Sequence, residues 1–206
     1  WQALQAQFAW QLPHQALSHS HDGLWLNDWL TGLRGTGQAC EAGAGAAVWL
    51  ELSPGRLCAD GKKDQPRGDR LITAWVRMLA ASACGVAVAG VMVGRDACIT
   101  VRPWPVERAR AALGELMQAW RDGRYGNCAP LPLAPRTALA LVRGAADVAG
   151  VYEGSDFGGK RGEADEACLT RTFPDYTALA ADGRFEALAQ RLFAPLAAWI
   201  EAEVQV

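Results

Sequence analysis

The sequence predicts an α/β (α+β) protein, a mixed sheet flanked by helices with a helical C-terminal tail. Three observations point there. Two apolar, strand-like runs, residues 24–33 and 47–52, precede a helix-patterned stretch at 70–84. Two further apolar, β-branched runs at 86–93 and 97–102 follow, parted by Gly94-Arg95-Asp96, a hairpin signature. Beyond Pro105, apolar residues recur at helical spacing with few strand signals. Strands, helix, hairpin and then helices make a mixed sheet with helices packed on it.

The bulk numbers agree. At 206 residues, half apolar and a fifth charged, the chain can bury a packed core and is not disordered in composition. A net charge of -2 supplies no global attraction to nucleic acid, so any such contact must come from a local patch. No apolar run reaches the roughly 18 residues a membrane helix needs. The chain opens at Trp1 rather than a methionine, which suggests a piece of a longer polypeptide. None of the six cysteines pairs at zinc-finger spacing, so a zinc site is not expected. Their distribution fits a reducing compartment, hence the cytoplasm, better than a disulfide scaffold. Nine tryptophans suit core seams and interfaces.

In chain order, Leu4, Phe8 and Leu12 have helical spacing that Pro13 ends. His14, His19 and His21 follow in a stretch without Glu or Cys partners, so a polar surface loop is expected rather than a metal site. In the first strand Leu24, Leu26 and Leu30 take one face and Trp25, Trp29 and Leu33 the other, as in a sheet covered on both sides. Residues 34–45 are rich in Gly and Ala but offer neither GxGxxG nor a following lysine, so they read as a flexible connection. Residues 58–68 read as a polar loop. Leu71, Trp75, Met78 and Leu79 form the buried stripe of the next helix, which Gly85 stops. Pro105 opens a further helix whose apolar face includes Leu113, Met117 and Trp120 and which Gly123 closes. Residues 129–135 carry three prolines and read as an extended connector. A helix at 136–149, a glycine-rich loop at 151–162 and a short helix at 163–172 come next. The last helix spans 184–204, with a kink expected near Arg191 from Pro195.

Strand, strand and long helix are the front half of a restriction-endonuclease-like sheet. Metal-dependent hydrolysis on such a sheet needs an acid on one strand and acid-x-lysine on the next. The carboxylates hold Mg²⁺, and the lysine positions or activates water. Here the first strand offers Asp28 and the second Glu51, but the lysine place is Ser53. If Leu50 is the acid position, the lysine place is Leu52. Either register lacks the cation. Asp60-Gly61-Lys62 spells acid-x-lysine in a loop after the strand, a triplet that arises easily by chance. The acidic run Glu153, Asp156, Glu163, Asp165 and Glu166 reads as a solvated loop and helix start. No nucleophile elbow or P-loop is present.

Several segments together resemble the C-terminal domain of RecC, the gamma subunit of exodeoxyribonuclease V (RecBCD). They are Leu30-Thr-Gly-Leu33, Trp49-Leu-Glu-Leu-Ser-Pro-Gly-Arg-Leu57, the helix at 70–83, the proline-rich connector at 129–135, Val151-Tyr-Glu-Gly154 with Gly162-Glu163, and Arg191-Leu-Phe-Ala-Pro-Leu196. The resemblance covers residues 24–203, with 1–23 a preceding segment of a longer chain. It implies a nuclease-like fold that has lost its active site, with Asp28, Thr31, Leu50, Glu51 and Ser53 as vestigial positions. It further implies a scaffold that handles DNA strands beside RecB and RecD subunits, without a membrane. No cofactor is expected in this chain, the Mg²⁺ lying in the RecB nuclease.

Two basic clusters could contact phosphates: Lys62, Lys63, Arg67 and Arg70, and Lys160 with Arg161. Each could equally be an ordinary solvated loop. The alternatives that remain are an active metal-dependent nuclease using Asp28, Glu51 and a lysine such as Lys62, and a subunit-assembly module without DNA contact.

Overall fold

A computed structural model describes residues 1–36, 47–126, 130–155 and 160–206, so most of the glycine-rich connection, Cys40 and Cys128 lie outside the described residues. The elements begin with α1 (Gln2–Gln7), β1 (Trp10–Gln11), β2 (Gln15–His21), β3 (Leu24–Leu30), β4 (Leu33–Gly35) and β5 (Ala47–Leu52). Next come β6 (Cys58–Ala59), β7 (Lys62–Pro66), α2 (Gly68–Ala83), β8 (Ala89–Val93), β9 (Cys98–Val101) and α3 (Val106–Tyr125). The remainder is α4 (Pro135–Val142), α5 (Val148–Glu153), β10 (Gly154–Ser155), β11 (Lys160–Arg161), α6 (Ala167–Thr172), α7 (Tyr176–Ala180), α8 (Arg184–Leu188), a π-helical turn (Ala189–Phe193), α9 (Ala194–Glu203) and β12 (Val204–Gln205). Two compact units result, Trp1–Met117 with Trp199–Val206, and Gln118–Ala198.

The first unit is built on a six-stranded mixed sheet, ordered β1-β4-β5-β8-β9-β12. Only β5 and β8 pair in parallel, and α2 lies in the connection between them. Parallel neighbours need such a crossover. Trp49 stands beside Gly90 across that pair, and a Cβ at Gly90 would lie 2.7 Å from its ring. Glycine therefore leaves room for an indole flat on the sheet. The α2 stripe is as expected, with Leu71, Trp75, Met78 and Leu79 all buried. Trp75 meets Trp104 edge-on at 4.7 Å and Trp199 at 5.1 Å. The indole of Trp199 donates to the Arg102 carbonyl, and β12 pairs with β9. The last eight residues, Trp199–Val206, thus complete the first unit.

The helix expected up to Pro13 ends at Gln7, and Trp10–Gln11 instead form β1, paired with β4. Three further expectations for this unit are corrected. Residues 24–33 are not one strand of the main sheet. Gly32 has φ +74°, and the turn before Leu33 separates β3 from β4. The second correction concerns the histidine stretch: His19 and His21 lie on β2 rather than in a loop, hydrogen-bonded along its length to β3 as an independent hairpin, while His14 precedes it. Its outward face carries Ala16, Ser18, Ser20, Trp25, Asn27 and Trp29, so the tryptophans are not covered: Trp25 is 73% and Trp29 59% exposed. Its inner face buries Leu17 and Leu30. His21 lies against Gly114 of α3, where a Cβ would meet its ring at 2.6 Å. Third, the polar loop at 58–68 folds as the hairpin β6–β7, turned at Gly61 with φ +74°.

In the second unit, Gly123 does not close α3. It admits Leu131 of the connector, whose Cδ1 would lie 2.6 Å from a Cβ there, and the helix continues to Tyr125. Residues 130–134 lie outside any ladder, with a tight turn in which the Leu133 N–H donates to the Leu131 carbonyl at 2.9 Å. The helix at 136–149 is instead α4 and α5, parted at Gly144 with φ +68°. The loop at 151–162 contains the end of α5 and the short β10–β11 pair, and the helix expected from 163 starts only at Ala167. Around Arg191, where Pro195 predicts a kink, the helical run is irregular but not broken. The turn before Pro195 is π-helical, which absorbs the missing N–H while the helical run continues to Glu203. Tyr152, fully buried, donates its hydroxyl to the Phe173 carbonyl at 2.6 Å.

Trp199→Ala should lower stability by about 3–5 kcal/mol in denaturant unfolding, since it empties the seam between α2 and the sheet edge. Tyr152→Phe should cost about 1–3 kcal/mol by leaving the Phe173 carbonyl unpaired, which thermal unfolding will read. His19 has a buried Nε2 without a partner, and burial, then Arg110, then His21 hold its pKa below the usual value. A neutral ring is favoured in the fold, so its contribution is present at neutral pH and fades as pH falls through the unfolded value of about 6.5. A melting point that drops between pH 7 and pH 5, and drops less in His19→Gln, is expected.

Candidate functional site

The alternation of β5 puts Trp49 and Glu51 on one face of the sheet. α2 supplies Arg77, whose guanidinium donates to the Glu51 carboxylate and lies 5.1 Å over the Trp49 ring. Glu51 is about a third exposed at 29%. Its charge is answered by an arginine that is itself positioned by an aromatic face. The carboxylate expected at a metal position is therefore an ion-pair partner in this arrangement.

The other vestigial positions are not gathered around it. Asp28 lies on β3, in the separate hairpin, exposed, and its carboxylate accepts the backbone N–H of Trp29 at 2.8 Å. On the β4 side, the antiparallel neighbour of β5 carries Leu33, Arg34 and Gly35, with no acid. Thr31 is exposed in the turn before it. Leu50 is buried, Leu52 is 55% exposed, and Ser53 donates its backbone N–H to the Val93 carbonyl. The β5–β6 connection is fastened from across the sheet. Asp96, in the β8–β9 turn, accepts the N–H groups of Leu57 and Cys58 at 2.8 and 3.1 Å. These backbone bonds, the Leu57 bond foremost, hold its carboxyl below the usual range. Among the described residues, no group of three or more His, Cys, Asp or Glu side chains could hold a metal ion.

Asp60 and Lys62 flank the tip of the β6–β7 hairpin, and Asp60 is paired with Arg56. Lys62 is exposed on β7, and Lys63 follows it on the same strand. Arg67, at the N-cap of α2, grips Asp69 at 2.8 Å, and that bond raises its pKa. Arg70 reaches the same carboxylate at 3.7 Å. Two of these four cations are thus partly neutralised by Asp69, and Lys62 is exposed on the hairpin. In the second unit Lys160 and Arg161 form β11, with Arg161 exposed.

Two members of the acidic run, Glu153 and Glu163, cap helices. Glu163 accepts the backbone N–H groups of Arg136 and Thr137, at 2.9 and 2.8 Å, and the Thr137 hydroxyl, at the start of α4. Glu153 accepts the N–H of Tyr176 at the start of α7. Asp165 and Glu166 are exposed in the turn before α6, and Asp156 lies outside the described residues. Orphan N–H groups at helix starts favour such carboxylates. Sequence reasoning missed Arg77 and Asp96. Arg77 sits on the polar side of a helix whose placement over β5 is a tertiary fact, and Asp96 looked like a turn residue only.

No helix among the described residues is long and apolar enough to cross a membrane. No curated protein matches the chain. The family model described as the RecC C-terminal domain matches residues 1–146, which include the opening 23 residues where the resemblance was weakest. A match over 146 of the 206 residues, on a mixed sheet flanked by helices, makes the chain a member of the RecC C-terminal domain family, and so ties it to exodeoxyribonuclease V (RecBCD) and to DNA repair and recombination.

Proposed function

We propose that the chain is a non-catalytic scaffold that contacts DNA and the RecB and RecD subunits within the helicase-nuclease. It keeps a restriction-endonuclease-like sheet for its shape. The observation that carries this reading is the Glu51–Arg77 pair under α2. A carboxylate serving Mg²⁺ needs its oxygens free for the ion, and an arginine held over Trp49 competes for them. The absence of an acid on β4 and of a lysine two residues after Glu51 supports the same reading. DNA contact falls to Lys62 and Lys63 on the β6–β7 hairpin, with Arg67 and Arg70 beside them and Lys160 and Arg161 as a second patch.

Partner contact without DNA is the second reading, favoured by the uncharged outer face of the β2–β3 hairpin. Two exposed tryptophans on a polar, hydroxyl-rich surface suit a protein interface more than a phosphate backbone. Salt separates the two readings. Phosphate contacts make affinity fall with ionic strength, and an assembly module has no DNA affinity to lose.

Purified chain with linear duplex or single-stranded DNA and Mg²⁺ or Mn²⁺ should leave the substrate intact on a gel. Degradation that disappears in Asp28→Ala or Glu51→Ala would overturn the scaffold reading. Lys62→Gln and Lys63→Gln should each weaken DNA binding and reduce the slope of log affinity against log salt by about one.

A further inference from the structure

The C-terminal end of α3, within the second unit, carries an aromatic and cationic cluster outside both basic patches. Trp120 is 57% and Tyr125 70% exposed, large rings that a soluble surface ordinarily covers. Their rings meet edge to face at 6.2 Å. The Arg124 guanidinium lies 5.9 Å from the Trp120 ring and 5.7 Å from the Tyr125 ring, and its Nε donates to the Tyr125 hydroxyl at 3.3 Å. Among the described residues no carboxylate lies within ion-pair distance of Arg124. Asp122, the nearest acid in sequence, faces elsewhere on the helix, where it meets Gln118 and Arg191.

The chemistry follows from the geometry. Both rings are largely exposed, and one guanidinium lies against each of them. A flat apolar ligand with an anionic edge fits both parts at once. Nucleobases stack on exposed indole and phenol faces whatever their sequence, and their phosphates find the guanidinium. The negative end of the α3 dipole holds Arg124 in place and repels a phosphate on the helix axis. Bases must then lie on the rings, with the backbone outward. A duplex keeps its bases stacked on one another and cannot present them this way.

The geometry points to Trp120, Arg124 and Tyr125 as a stacking platform for unpaired bases of a single nucleic-acid strand, without sequence preference. It rests on the DNA-contacting reading above and specifies a strand form and a place that reading leaves open.

Fluorescence anisotropy of the 206-residue chain with a labelled oligo(dT) and with a duplex of equal length tests it. Trp120→Ala and Tyr125→Ala should each weaken oligo(dT) binding by about tenfold, the change expected for one lost stack, with the salt slope unchanged. Trp120→Phe should restore most of the affinity, and duplex binding should not move. Arg124→Gln should lower the salt slope. Unchanged oligo(dT) affinity in Trp120→Ala overturns the platform, as does an equal loss on duplex. If those variants keep oligo(dT) affinity but lose assembly with partner subunits, the cluster is a protein contact and the platform is again overturned. Loss of duplex binding in Lys62→Gln with the platform variants silent leaves the scaffold reading standing alone. Absence of any binding by the unaltered chain removes both.

Discussion

The first unit depends on one packed seam. Trp75 from α2 meets both Trp104, from the segment before α3, and Trp199 from α9, with ring centroids 4.7 and 5.1 Å away. Burying an indole removes on the order of 150–250 Å² from water, an upper figure of about 4–6 kcal/mol each. Residues 75 and 199 are far apart in sequence, so the contact closes a long loop. Its consequence is topological. With Trp199 seated and its N–H on the Arg102 carbonyl, the chain end is delivered to β9, where Arg102 also bonds back to the Glu203 carbonyl. The free edge of β9 is thereby paired, which removes an exposed ladder. The crossover helix cannot cover β5 and β8 without the same seam, since Trp75 is its largest buried side chain.

That placement of α2 fixes the electrostatics of the sheet face beneath it. Trp49 and Glu51 alternate onto the same side of β5, and the helix brings Arg77 over both. A half-buried carboxylate needs a partner, and a guanidinium stacked on an indole supplies one without a metal. The pair is partly exposed, so its net stabilisation is modest, on the order of 1 kcal/mol or less. Its importance lies in occupancy of the carboxylate. Metal sites on this kind of sheet arise where acids converge. Here the adjacent strand β4 offers Leu33, Arg34 and Gly35, and an arginine there adds positive charge to the neighbourhood.

Much of the architecture could be read from periodicity, and the failures have physical causes. α2, the β8–β9 hairpin and the long α3 follow from apolar spacing and turn residues. Residues 24–33 did not, because Trp25 and Trp29 look like core residues in a strand pattern. Only pairing with β2 shows that their face is open. The β6–β7 hairpin is short and its second strand is Lys-Lys-Asp-Gln-Pro, so nothing apolar marks it. Gly123 and Gly162 carry the same lesson in opposite directions. Each is glycine because another segment comes close, Leu131 in one case and the Tyr152–Glu153 backbone in the other, and close approach is invisible in one dimension. At the candidate site the empty lysine position was legible at Ser53. The partner of Glu51 was not, since it stands 26 residues away on another element.

The segment Tyr152-Glu153-Gly154 with Gly162-Glu163, which lies beyond the residues the family model matches, holds shape rather than chemistry. In isolation it offers a tyrosine and two acids, which is catalytic vocabulary. In the fold each of these side chains is engaged in a structural hydrogen bond. The Tyr152 hydroxyl meets the Phe173 carbonyl, Glu153 caps α7, and Glu163 caps α4 with three hydrogen bonds. Gly154 takes φ +81°, which a side chain resists, and a Cβ on Gly162 would meet Glu153 and Tyr152 backbone atoms at 2.4 to 2.6 Å. Burial, then Glu163 and Asp175, push the Tyr152 phenol up, so it stays a neutral donor at physiological pH. A carboxylate that already accepts three donors and a phenol whose hydroxyl is already spent on a carbonyl have little left for a substrate. The residues most readily taken for chemistry in the second unit are the ones that lock α4, α5 and α7 together, and the side chains left open to solvent are instead the rings and guanidinium at the end of α3.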